Sequence, residues 1–178
     1  MIKLRDILRE VGETTAAPYP TTKSNMGGSA FHKIEAYSFK TDTGTQYKVY
    51  IEKFPSENGV RKFDRYLHYN EVIYVVSFKA TSIRVAPGTS EFYSEINDPK
   101  NMYRVMATVL SAVKQSIKDD EDRGVHVEYI EMEPTKNAPN DQRRSKFYTA
   151  IIQKNMPAGS KIESDEYHIT VHLPKSKK

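Results

Sequence analysis

The chain contains no cysteine and no tryptophan. Without cysteine there is no disulfide scaffold, no Cys-ligated zinc site, no thiol nucleophile and no iron–sulfur cluster. No apolar run approaches the roughly 20 residues that a membrane span requires, so no membrane association is expected. Residues 1–11, MIKLRDILREV, are charged throughout and lack an apolar h-region, which does not read as a signal peptide. Gly-x-Ser-x-Gly, Walker A, His-Glu-x-x-His and Rossmann glycine patterns are all missing. A strong charge of either sign is lacking too: 27 basic and 23 acidic residues leave +4, far less than a dedicated nucleic-acid coat carries.

What is present is a chain of 178 residues, enough for one domain with its own core. Leu4, Ile7, Leu8 and Val11 fall at i, i+3, i+4 and i+7, one apolar face of a short helix. Gly12 to Ala30 follows without apolar periodicity and reads as an extended arm. The expected organisation is thus a helix and arm over residues 1–30 and a single domain over 31–178. An eleven-residue helix is marginal alone in water, so its stripe is expected to dock on a protein partner or on a second copy.

Within the domain, AYSFKTDTGTQYKVYIEKF alternates on both sides of a Thr-Asp-Thr-Gly turn and predicts a hairpin. Residues 54–70 read as irregular, and the continuous VIYVV run predicts a strand covered on both faces. Asp98 and Pro99 suit a helix start, and Met102, Val105, Met106, Val109, Val113 and Ile117 keep helical spacing for five turns. VHVEYIEM predicts a second buried strand, QRRSKFYTAIIQKN a second helix, and EYHITVHL a last strand with Ile169, Val171 and Leu173 on one face. A short strand near Lys161 and Ile162 can precede it. The expected fold is α+β: a mixed sheet with two packed helices in the order β-β-β-α-β-α-β, plus an N-terminal amphipathic helix.

That order, together with Phe147-Tyr148 on the second helix, resembles the GNAT (N-acetyltransferase) superfamily core. The resemblance implies Tyr148 as a general acid near an acyl-CoA sulfur, with acetyl-CoA as cofactor. The family's glycine-bearing pyrophosphate loop has no counterpart in SEINDPKNMYRVMATV, where Asp98 brings a negative charge instead of glycine. No cofactor is therefore expected, and an acyl-CoA-dependent N-acyltransferase with a degenerate loop is the alternative reading. The amphipathic opening before a Pro/Thr/Gly arm also resembles small tailed-phage proteins. In Ile7-Leu8-Arg9-Glu10 it is similar to the targeting peptides of internal head proteins. That resemblance implies a virion-associated accessory protein, in the virion or the host cytoplasm.

Other constellations have plainer readings. His168-Ile-Thr-Val-His172 holds one His-x-Thr motif, where a 2H phosphoesterase needs two. Its two histidines lie about 13 Å apart on a strand, too far to share a metal. Lys136, Arg143, Arg144 and Lys146 form a possible anion patch, otherwise a solvated helix face. Basic and aromatic residues interleave over Arg61–Tyr69, a pattern that supports at most weak nucleic-acid binding. The acids Asp119–Asp122 lack calcium-loop spacing and read as a solvated turn. With no complete catalytic constellation, the expected function is a non-catalytic accessory protein that attaches through Leu4, Ile7, Leu8 and Val11.

Overall fold

A computed structural model describes residues 17–29, 31–56, 60–63, 66–81, 99–133, 143–165 and 168–175. The strands are β1 (Thr22–Ser29), β2 (His32–Lys40), β3 (Gln46–Pro55), β4 (Val60–Phe63), β5 (Tyr66–Tyr69) and β6 (Glu71–Ala80). Helix α1 (Pro99–Glu121), β7 (His126–Met132), α2 (Arg143–Asn155), β8 (Lys161–Ser164) and β9 (Ile169–His172) complete the chain. Seven of the described strands form one sheet in the order β1-β2-β3-β6-β7-β9-β8, and β4 pairs with β5 in a second, two-stranded sheet. Among the described strands only β6 and β7 run parallel, and α1 lies in the connection between them.

Strict alternation sends Tyr37 and Phe39 of β2, and Tyr47, Val49 and Ile51 of β3, to one face. There they meet Val105, Met106, Val109, Leu110 and Val113 of α1, and Ile151 and Ile152 of α2 lie in the same core. The two helices contact each other, and the inward residues of β6, β7 and β9 join this one cluster. No described helix packs on the opposite face. Helix α1 ends where Gly124, at φ +76°, donates its N–H to the Glu121 carbonyl.

The fold is strand-rich, and the expected GNAT-like order β-β-β-α-β-α-β is overturned. Six strands precede the first described helix and two follow the second. Two of the unexpected strands form the β4–β5 hairpin in the stretch read as irregular. Another, β1, lies in the stretch read as an arm. All eight of its residues are exposed, and edge pairing with β2 holds it, so it shows no apolar alternation. The fold also starts before Phe31: the ring of Tyr19, only 5% exposed, stacks on Phe39 at 5.8 Å under the Arg104 guanidinium. Arg104 Nε donates to the Ala17 carbonyl at 2.9 Å, and the Tyr19 N–H to Thr108 Oγ1 at 2.9 Å. Among the described residues, helices cover the VIYVV run on one face: Tyr74 and Val76 are buried, while Ile73 and Val75 lie half-buried on the other side. The amphipathic N-terminal helix expected over residues 1–11 lies outside the described residues. Among those described, no helix is long and apolar enough to cross a membrane.

Candidate functional site

The densest charge in the described structure is buried under the C-terminal end of α1. Lys53 occupies the inward phase of β3 after Tyr47, Val49 and Ile51, and is only 5% exposed. Its ammonium donates to Glu35 Oε1 of β2 at 2.8 Å and to Asp120 Oδ2 of α1 at 2.9 Å. Asp120 also accepts from the Tyr74 hydroxyl and pairs with Arg123. Glu35 Oε2 accepts from Ser116 Oγ at 2.8 Å and from Tyr37 at 3.3 Å. Lys23 of β1 bridges Glu35 at 3.1 Å and Asp119 at 2.7 Å. Three cations and three carboxylates therefore interlock across β1, β2, β3, α1 and the turn that follows it.

The electrostatics follow from this pairing. Burial alone pushes the Glu35 carboxyl up, yet the hydrogen bonds from Lys53 and Ser116 and the nearby ammonium charges outweigh it and hold the carboxyl below its ordinary value. Burial opposes the Lys23 ammonium as well, and its hydrogen bonds to Asp119 and Glu35 prevail, raising it. The Tyr74 hydroxyl is pushed up by burial and then by its bond to Asp120. Asp119 is held low by Lys23 and Gln115. Each charge in the network has an opposite partner, so the arrangement fastens α1 to the sheet and clasps the β1 edge. A cleft of about 730 Å³ opens beside it, with Lys23, Lys33 and Arg123 facing Asp119 and Asp122.

This network was absent from the sequence reading, which placed Asp120 in a solvated turn; it is 4% exposed. The signal was a charge in an apolar phase: Glu35 ahead of Tyr37 and Phe39, Lys53 after Ile51, and Asp120 three residues beyond Ile117.

The residues singled out from sequence do not assemble into one site. Tyr148 is buried, its hydroxyl 4.0 Å from Met102 Sδ, with Phe78 and Phe147 against its ring. Lys146 is exposed on α2. Arg143 and Arg144 stand in the first turn of α2, but their side chains lie outside the described residues, as do Lys136 and Asp98. Leu4, Ile7, Leu8 and Val11 also lie outside them. The side chains of the Arg61–Tyr69 run are not among those described. His168 is exposed, its N–H bonded to Asp165 Oδ1 at 2.7 Å. No group of three or more His, Asp or Glu suited to a metal occurs among the described residues.

The helix-free sheet face carries an ordered surface. One row runs Phe54, Ile73, Tyr129, His172 and Lys161 across five strands. His32 stacks on Phe54 at 4.5 Å and 9° and extends this row. The next row runs Ile34, Glu52, Val75, Glu131 and Thr170. Glu52 accepts from or pairs with His32 Nε2 at 2.8 Å. Ile34, Phe54, Ile73, Val75 and Tyr129 thus form a half-buried apolar band in the middle of the face.

No family model, curated protein or solved structure matches the chain.

Proposed function

We propose that the chain is a non-catalytic attachment protein whose helix-free sheet face receives the apolar stripe Leu4, Ile7, Leu8 and Val11 of a second copy. The observation that supports this most is the band of Ile34, Phe54, Ile73, Val75 and Tyr129 on a face without a described helix. Burying four aliphatic side chains contributes roughly 6–12 kcal/mol before the cost of association, which is of similar size. The contact is therefore a reversible one, suited to attachment through several copies.

The anchoring of Ala17 and Tyr19 favours a second copy over the chain's own stripe. Both lie against α1, on the side opposite the band. Six residue steps from Val11 to Ala17 span at most about 20 Å. Passing round the β1 edge takes about 20 Å to Ile34 on β2 but about 30 Å to β6, from strand spacings near 4.8 Å and a layer near 10 Å. Val11 of the same chain therefore reaches only the β1-proximal margin of the band.

Sedimentation equilibrium of the full chain tests the proposal. Expected is a concentration-dependent dimer that becomes monomeric in Ile73→Lys and in Leu8→Asp, with the melting temperature retained. A wild type that stays monomeric, or a dimer insensitive to both substitutions, overturns it.

A further inference from the structure

One end of the same face has a different chemistry. Thr22, Ser38, Lys48 and Lys79 form one register row across β1, β2, β3 and β6. Lys40 and Gln46 form the next, where the Thr81 N–H donates to the Gln46 carbonyl at 2.7 Å. A depression of about 380 Å³ is lined there by Pro20, Thr22, Ser38, Lys40, Gln46 and Lys48. Lys40, Lys48, Thr22 and Ser38 supply ammonium and hydroxyl donors, and no carboxylate lines it.

The lysines here share with Lys33, Lys114, Lys146, Lys154 and Lys161 the lack of an ion-pair partner among the described residues; what sets this corner apart is that three such lysines stand on two adjacent register rows. Lys23, Lys53 and Lys118 each stand within 3.1 Å of a carboxylate oxygen. Lys40, Lys48 and Lys79 have no carboxylate partner among the described residues. The Lys79 ammonium stands over the Tyr50 ring at 5.6 Å from its centroid, which holds both side chains along the face. Glu52, the nearest outward carboxylate on β3, is engaged by His32 at 2.8 Å.

We infer that this corner binds a phosphate group of a ligand, with Lys40 and Lys48 gripping its oxygens and Thr22 and Ser38 donating from the sides. Several donors converging on one anion with several oxygens favour phosphate over a single carboxylate. The phosphate can belong to a small ester or to a nucleic-acid strand, and the two probes below separate these sources. The site shares no residue with the apolar band, so it stands or falls independently of self-association.

The test is an amide NMR titration of the full chain with inorganic pyrophosphate, and in parallel with a ten-nucleotide thymidine oligomer. Both are repeated on the Lys40→Gln/Lys48→Gln double variant and on the Lys161→Gln control. Expected are saturable shifts at Thr22, Ser38, Gln46 and Lys48, at least about tenfold weaker binding in the double variant, and no change in the control. If the oligomer binds far tighter than pyrophosphate and loses affinity steeply with salt, the ligand is a strand. Comparable binding of the two marks an isolated phosphate group. No saturable shift with either probe, or shifts unchanged in the double variant, overturns the inference.

Discussion

Replacing Lys53 with Met removes the cation that stands 2.8 Å from Glu35 and 2.9 Å from Asp120, and leaves the stem's volume nearly intact. Both carboxylates stay buried, Glu35 at 8% and Asp120 at 4% exposure. Breaking a buried pair from one side costs about 3–5 kcal/mol, because the charges left behind lose their buried partner and keep only the more exposed cations Lys23, beside Glu35, and Arg123, beside Asp120. For a chain of this size that lowers the melting temperature by about 6–20 °C. The pH dependence makes the test specific. In the wild type the Glu35 carboxyl is held below its ordinary value of 4.5, so its contribution is present above that pH and is lost as the pH falls through the folded value. In the variant, burial, the largest single influence on Glu35, loses its main opponent and raises the carboxyl. A raised acid favours the folded state only at low pH and loses that advantage as the pH rises. The stability gap between wild type and variant therefore widens from about pH 4 to pH 7, as urea denaturation across that range will show. A variant as stable as wild type at pH 7, or a gap of constant size, refutes the reasoning.

The remaining predictions concern packing. Tyr19→Ala removes a ring held between Phe39 and Arg104 and should cost about 3 kcal/mol by chemical denaturation. For the same reason, truncation after residue 16 should leave the melting temperature near wild type, whereas truncation after residue 30, which also removes β1 and Lys23, should lower it sharply. Val109→Asp places an unpaired carboxylate at a position with 0% exposure in the middle of α1, and should cost several kcal/mol and unfold the domain near room temperature. A Val109→Asp protein that melts within a degree or two of wild type would mean the helix face is misassigned.

The parts of the fold that could be read from sequence are those whose side chains repeat with the period of their own element. The inward stripe of α1 and the alternation of β2 and β3 are of this kind, and Val105, Val109 and Val113 are buried as their spacing implies. Strand β1 was illegible because TKSNMGGS carries no alternation; Met26, its one large apolar residue, is 54% exposed. Backbone pairing to β2 makes it a strand, and pairing leaves no mark on local composition. The VIYVV run misled for a related reason: a continuous apolar segment does not say which face is covered by helices and which is left to form a band beside Phe54 and Tyr129.

The buried ion network illustrates the deeper limit. Glu35, Lys53 and Asp120 each sit at a position where the local period calls for an apolar residue, so each is individually conspicuous. Their meaning depends on being brought together: Lys53 lies 18 residues from Glu35 and 67 from Asp120. Local reading assigns such a residue to solvent, because an isolated buried charge costs far more than a shifted helix face. Only the register of β2 against β3, and the placing of the last turn of α1 over Tyr74, convert three misplaced charges into mutual partners. The same register sets the opposite surface. With Lys53 turned inward, Lys48, Tyr50, Glu52 and Phe54 must point outward, so the buried network and the helix-free face are two sides of a single alternation along β3. A one-residue slip of β3 would carry Lys53 into solvent and Phe54 into the core, removing the network and the band at once.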